Sequence, residues 1–496
     1  MPFLMQSKPI YIALLASSLV FSSCDSYLDL DPISDATSTN AYNTASDAEA
    51  ALVGAYDSFQ AEYYIWDNVI FSDVISDNHY AGGDNPEIFA VDNLDIQPVN
   101  GRLFNNWSQL YNAIAKVNVV LAKVPEINDP KIDVDNRREQ ILGEAAFLRA
   151  YHYFQLVTLW GGVPLILDPV ASTAPEETQK PRNTEQEVYQ QILTDLGFAL
   201  ERLPDTYGTD ASVNKARATK GAANALLAKV YAQMPDRDYN KVVEHADAVI
   251  NSPAGYSLLD DYRNLFDGNN YNNAESIMEI QFVGGTEANF GPQLLLPPSI
   301  SGDTWRKFVT PSKDLIRAFD QEGDEIRKQA TVLFEAAPWA DEFWSLQVNG
   351  QVPFAYKWKE ANGWASTNRQ YLLRLADIIL LKAEALNGLG RGEEALAEVN
   401  RVRRRVNLPE VSADNQQDIA RLIEKERRLE LAQEAQRWND LKRSSRAVEV
   451  MNNLVEIDLR TGEPKAFDMT ESKMLLPIPQ QEINRNPLLV QNPGYN

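Results

Sequence analysis

The stretch YLLRLADIILLKAEALNGLG, Tyr371 to Gly390, followed after Arg391 and Gly392 by EEALAEVNRVRRRV, Glu393 to Val406, decides the fold. Apolar residues recur three or four positions apart in both runs. This predicts two helices, Tyr371 to Leu389 and Glu393 to Val406, joined by a glycine-containing turn. Ala383, Leu386, Gly390 and Ala395 have the spacing of small residues in a tetratricopeptide hairpin, where two helices approach too closely for bulk. Ala228 with Tyr231, and Ala150 with Tyr153, repeat the first half of that spacing. Such hairpins cannot bury their apolar faces alone, so they stack. The expected class is all-α, a scaffold of tetratricopeptide-like helical hairpins.

Working outward, the same period predicts further helices. Trp107, Tyr111, Ile114, Val117 and Leu121 share one face. A helix from Arg137 to Leu159 is stopped by WGGVP, Trp160 to Pro164. Thr184 caps a helix through Val188, Ile192 and Leu196 towards Pro204, and Thr219 to Gln233 and Tyr239 to Ile250 form a pair. A long helix is expected from Gln416 to Lys442, and Ser46 is placed to cap one running towards Phe59. The scaffold therefore occupies about 107–251 and 371–444. Two regions break the pattern. Residues 62–106 mix aromatics with Gly, Asn and Asp, a loop composition. Residues 252–366 hold Trp305, Trp339, Trp344, Trp358 and Trp364 among Gly, Pro and Asn, with strand-like runs such as SIMEIQF, Ser276 to Phe282. They read as a loop-rich insertion with minor β structure inside one domain, 45–496, rather than as a second domain.

Cys24 is the only cysteine in 496 residues. It follows Lys8, an apolar run from Ile10 to Phe21, and two small residues, Ser22 and Ser23. The run matches a signal-peptide core and is too short to span a bilayer. The arrangement reads as a bacterial lipoprotein leader, residues 1–23, with Cys24 as the lipid attachment point and 24–44 as a tether. The competing reading is an ordinary secretory leader with an incidental cysteine; Phe21 stands where such motifs usually carry Leu. An apolar fraction of 44% excludes general disorder, and a net charge of −24 argues against nucleic acid as partner.

Catalytic patterns are thin. His79, His152 and His245 are far apart and lack the His-Glu-x-x-His spacing of a zinc hydrolase. No nucleophile elbow is present, and Gly388, Gly390 and Gly392 fall on a helix-hairpin turn. No metal or cofactor is implied. Carboxylate pairs are too plentiful among 70 acidic residues to identify a glycosidase or exclude one. An α-helical glycoside hydrolase and a protein-interaction scaffold are the alternatives to a binding protein.

Six blocks, in order, resemble the SusD/RagB family of outer-membrane lipoproteins. They are CDSYLDLDP (24–32); EAAFLR (144–149) through YFQLV (153–157) to WGGVP (160–164); ATKGAANALLAKVY (218–231); LRLADIILLKAE (373–384); ERRLELA (426–432) to RWNDL (437–441); and LPIP (476–479) through Glu482 and Ile483 to QNPGY (491–495). The resemblance implies a non-enzymatic, lipid-anchored protein at the cell surface, exposed from the outer membrane. It also implies a SusC-like TonB-dependent transporter as partner. The implied ligand is usually a glycan or oligosaccharide; some relatives handle peptides. Ala435 stands where the family often has glycine, read as a minor departure inside a helix. Glu144, Arg149, Glu426, Arg427 and Glu430 lie on amphipathic helices, where inter-helix pairing or a solvated face is the default reading.

A glycan site needs flat rings for sugar C–H faces and fixed donors and acceptors for hydroxyls. Two segments offer both. One, Tyr63 to Tyr80, supplies Trp66, Asp77, Asn78, His79 and Tyr80; the other supplies Trp305, Arg306 and Trp364, with Asn362 and Asn368 nearby. Each tryptophan has two readings, core packing or ligand stacking. Trp107, Trp160 and Trp438 lie in helical or shared blocks and read as core. The expectation is one platform built from both segments.

Overall fold

The structure, a computed structural model, describes residues 41–303, 308–337, 351–457 and 462–495. The leader, Cys24, most of the tether, Trp305, Arg306, Trp339 and Trp344 lie outside the described residues. No helix among the described residues is long and apolar enough to cross a membrane.

The molecule is mostly helical, with minor β structure. Helix Arg137–Trp160 packs on Glu185–Arg202 and on Gly101–Lys123; Lys220–Gln233 pairs with Tyr239–Ile250, which packs on Leu375–Gly388, itself paired with Gly392–Arg404. The predicted small residues sit where these helices meet. Ala150, Ala228, Ala383 and Ala395 are fully buried, and a Cβ on Gly388 would strike the Tyr239 ring. The hairpin turns at Gly390, whose φ of +77° suits a residue without a Cβ.

Local chemistry sets the helix ends. Thr184 accepts from the Glu187 N–H while Glu187 reaches back to Thr184, a capping box, and Thr219 and Asp238 cap Lys220–Gln233 and Tyr239–Ile250. At Trp160 the helix stops because Gly161 has φ +73° and because the C-terminal segment crosses there. Trp160 Nε1 donates to the Pro477 carbonyl, Asn492 Nδ2 to the Trp160 carbonyl, and Arg182 to both the Trp160 carbonyl and Asn492 Oδ1. Two motifs more than 300 residues apart are thus one interlocked corner. There is no room in it, since a Cβ on Gly162 would run into the Asn183 carbonyl oxygen.

Four expectations need correction. Thr44, not Ser46, caps the first helix, Ala45–Tyr56, because its hydroxyl and the Asp47 carboxylate close a capping box. Residues 62–106 are largely helical rather than loop. Tyr63–Asp67 and Ile70–Val74 are π-helical, Pro86–Asp92 is α-helical, and Asn100 starts Gly101–Lys123 six residues before Trp107. Both π turns are buried throughout, so no polar face marks a period. The run from Tyr371 opens as a strand, Gln370–Arg374, pairing antiparallel with Ser276–Ile280 before the helix starts at Leu375. Finally, Gln416 to Lys442 is two helices, Gln416–Leu431 and Arg437–Arg443. The break holds Gln433 at φ +67° and Ala435 at φ +57°, so Ala435 lies in a left-handed turn and not inside a helix.

Among the described residues there are two more antiparallel ribbons. Val332–Ala336 pairs with Gln351–Ala355, and His79–Tyr80 pairs with Thr310–Pro311.

Candidate functional site

The short ribbon between His79–Tyr80 and Thr310–Pro311 joins the two aromatic segments. Ser312 donates its N–H to the Asn78 carbonyl at 2.9 Å and its hydroxyl to the Asp77 carbonyl at 2.6 Å. Phe308 packs on Trp66, ring centroids 5.7 Å apart. The two segments touch at this ribbon, but the described side chains expected on a surface, Trp364 excepted, face inward.

Trp66 is 3% exposed. Its Nε1 donates to Glu62 at 3.0 Å, and the Arg102 guanidinium stands 4.6 Å from the ring centroid. That arginine also pairs with Asp67 at 2.5 Å, although burial still pushes the Asp67 carboxyl up to about 7. Asp77, Asn78, His79 and Tyr80 are all buried. Arg437 grips Asp77 with two bonds, 2.7 and 2.8 Å, and Arg428 approaches to 3.2 Å. Burial raises the Asp77 carboxyl, and the two arginines more than reverse it, holding it at about 2. Asn78 bridges Arg428 to Asp73. His79 has no hydrogen bond at either ring nitrogen, and burial pushes it down to about 3, so it is neutral. Tyr80 packs with Ala337, Val352 and Phe354. These five residues belong to the interior rather than to a surface, because burial and polar pairing occupy them.

Sequence reading missed why this interior is rigid. Asp73 accepts the N–H groups of Gln433 and Ala435, each at 3.0 Å, and Asn78 Nδ2 at 3.0 Å. The left-handed turn at 433–435 exists to present those two N–H groups. The charged residues of the shared blocks are likewise inter-helix pairs. Arg427 bonds Asp377 at 2.8 Å and Asp440 at 2.9 Å; Glu426 pairs with Arg327 and Arg403; Glu430 receives Arg327, Arg374 and Arg405. Arg149 pairs with Asp195 across helices; Glu144 pairs with Arg137 of its own helix and accepts the Tyr56 hydroxyl of another at 2.7 Å.

Trp364 is different. It is 43% exposed, at the tip of an excursion leaving the core after Trp358 and returning at Gln370. Asn362, Gly363 and Trp364 have φ of +49°, +57° and +77°. A left-handed bulky residue costs about 1–3 kcal/mol unless its surroundings hold it. They do hold it at the root. Asn368 Oδ1 accepts the N–H groups of Lys359 at 2.6 Å and Glu360 at 3.1 Å, Asn289 Nδ2 donates to the Asn368 carbonyl, and Glu360 accepts two bonds from Thr367. The tip lies against Gly291–Leu295, and Gly291 in turn packs on Ile65 of the first aromatic segment. Among the described residues, no group of three or more His, Cys, Asp and Glu side chains is placed to hold a metal ion.

Comparison with known proteins places this architecture. Residues 26–232 match the family profile described as "Starch-binding associating with outer membrane", and residues 347–495 match the profile of the SusD family. The chain belongs to the SusD/RagB family. A SusD-like protein of Formosa agariphila is 29% identical over 98% of this chain and all of its own length. Another, from Bacteroides ovatus, is 27% identical over 89% of this chain and 83% of its own. Among solved structures, a laminarin-binding SusD-like protein superposes with a TM-score of 0.75 at 28% identity, covering 92% of this chain and 100% of that one. A SusD homolog from Bacteroides thetaiotaomicron gives 0.78 at 23% identity, covering 93% and 99%, a likeness of fold.

Proposed function

We propose that this SusD/RagB protein is a non-enzymatic, cell-surface glycan receptor that captures oligosaccharides and delivers them to a SusC-like TonB-dependent transporter. Trp364 carries the reading: a large exposed ring held in a strained left-handed turn over a firmly bonded root. A backbone held in that way presents the ring to a sugar face without the further cost of ordering the excursion. The laminarin-binding relative and the starch-binding description of the family profile support a neutral glycan as ligand. In this reading residues 1–23 are a leader, Cys24 is acylated and holds the protein on the outer membrane, and 24–44 is a tether. The domain 45–496 presents Trp364, with Trp305 and Arg306 as its proposed companions.

The test begins with a glycan array and continues by calorimetry with the oligosaccharide it selects. Trp364→Ala is expected to weaken binding at least tenfold while leaving the unfolding midpoint unchanged; unchanged affinity removes Trp364 from the site. Overnight incubation should release no new reducing ends, and steady release would make the protein a hydrolase. Mass spectrometry of membrane-extracted protein is expected to find Cys24 as the acylated N-terminus. Co-purification with the neighbouring transporter tests the partner.

A further inference from the structure

The root of the 357–370 excursion borders a cleft of about 60 Å³ that is built unlike the face carrying Trp364. One water needs roughly 10–15 Å³ on this measure, so the cleft takes about four waters or one group of similar size. Three buried rings, Phe154, Phe266 and Trp358, form the apolar part of its wall, and most of the remaining lining is polar.

Hydrogen-bonding capacity on the lining is left open. Tyr151 is only 7% exposed, yet its hydroxyl has no hydrogen-bond partner among the described residues. Neither does the Asn439 side-chain amide, and Gln155 uses its Oε1 for the Tyr63 hydroxyl while its amide nitrogen stays unused. Gln433 Nε2 is buried and unpartnered beside them. These groups come from separate elements: helix Arg137–Trp160, helix Arg437–Arg443 and the turn between 431 and 437. The Tyr151, Asn439 and Gln155 groups open to the cleft, while the Gln433 amide nitrogen is buried; leaving such a buried donor unmet costs about 1–3 kcal/mol, which a ligand or ordered water recovers.

The charged lining is already balanced. Lys229 pairs with Asp377, Lys357 with Glu434 at 2.5 Å, and Arg369 with Glu279 at 2.7 Å. A charged guest would have to displace one of those partners, whereas an uncharged guest meets only the open hydroxyl and amides.

We propose that this cleft binds a neutral group bearing adjacent hydroxyls, of glycerol size, with its C–H surface on the ring walls and its hydroxyls on Tyr151, Asn439 and Gln155. The chemistry is shared by a free small polyol and by the edge of a terminal sugar ring on a longer chain. The site is separate from Trp364 and does not depend on it.

Saturation-transfer NMR on the full mature chain tests this with glycerol, D-glucose and laminaritetraose as probes. At least one probe should receive saturation, reduced fivefold or more by Tyr151→Phe, which keeps the ring and removes only the hydroxyl. Asn439→Ala should act alike, and Trp364→Ala should leave the glycerol and glucose signals unchanged. A response confined to the terminal-ring protons of laminaritetraose, with the same dependence on Tyr151, assigns the site to a chain end. A response to glycerol or glucose assigns it to a free polyol. No probe responding, or responses equal in wild type and Tyr151→Phe, overturns the proposal. Failure of the glycan reading would instead appear as loss of the Trp364-dependent signal alone.

Discussion

Residues 426–440 and residues 357–368 are both rich in polar side chains, and they use them in opposite ways. In the first, Glu426, Arg427, Glu430, Arg437 and Asp440 are buried and spent on one another and on neighbouring helices. In the second, Asn368 and Glu360 tie down the root of an excursion and leave Trp364 exposed at its tip. Buried ion pairs add little net stability over an apolar core, but each partner becomes indispensable once the other is buried. Under the proposed function the contrast separates scaffold from receptor surface: substitutions in the first region should act on folding, and those in the second on binding.

The largest expected effect is on the scaffold side. Glu430→Ala takes one buried carboxylate from Arg327, Arg374 and Arg405 together, leaving more buried positive charge than negative, and should cost about 3–5 kcal/mol in urea unfolding. A loss below 1 kcal/mol would mean that the network is not what fixes the helices.

Acid should reveal the same network. The Asp77 carboxyl is held at about 2, well below its unfolded value, by Arg428 and Arg437 against the upward push of burial. A depressed pKa contributes stability above the unfolded value near 4 that is lost as pH falls through the folded value. Asp77 should therefore contribute roughly 2 kcal/mol at pH 6 and almost nothing at pH 2. In Asp77→Asn the decline in stability between pH 4 and 2 should be shallower than in wild type.

A smaller effect of opposite sign is expected at Ala435. A non-glycine residue pays about 1–2 kcal/mol in the left-handed region, and glycine pays about half of that back in unfolded-state entropy. Ala435→Gly should therefore raise stability by about 0.5–1 kcal/mol, with the bonds to Asp73 retained.

How far the sequence carried the reading follows from the same contrast. The helical hairpins were legible because Ala383, Leu386 and Ala395 recur at a helical period and are buried where helices meet. The charges of the shared blocks were legible only as paired or solvated residues of amphipathic helices; burial decides for pairing, and the particular mates, such as Glu430 with Arg405, are not adjacent in the chain. Trp66 and Asp77–Tyr80 were misplaced because Trp, Asp, Asn, His and Tyr suit a sugar surface and a buried polar support equally well. Arg428 and Arg437, some 350 residues away, decide it for Asp77 and Asn78, and Arg102 and Phe308 decide it for Trp66. Ala435 was misread because a helical period runs on through a break made by two backbone N–H groups turning towards Asp73. Nothing in a side-chain pattern records that turn.

The central claim, that the exposed left-handed turn binds and the buried polar segment only supports, is tested most directly by one calorimetric series. Wild type, Trp364→Ala and Trp66→Phe would be titrated with the oligosaccharide selected by the array, after each variant's unfolding midpoint is matched to wild type. The account predicts at least tenfold weaker binding for Trp364→Ala, with its stability within about 0.5 kcal/mol of wild type, and affinity within twofold for Trp66→Phe. Full affinity in Trp364→Ala, or a tenfold loss confined to Trp66→Phe, would contradict it.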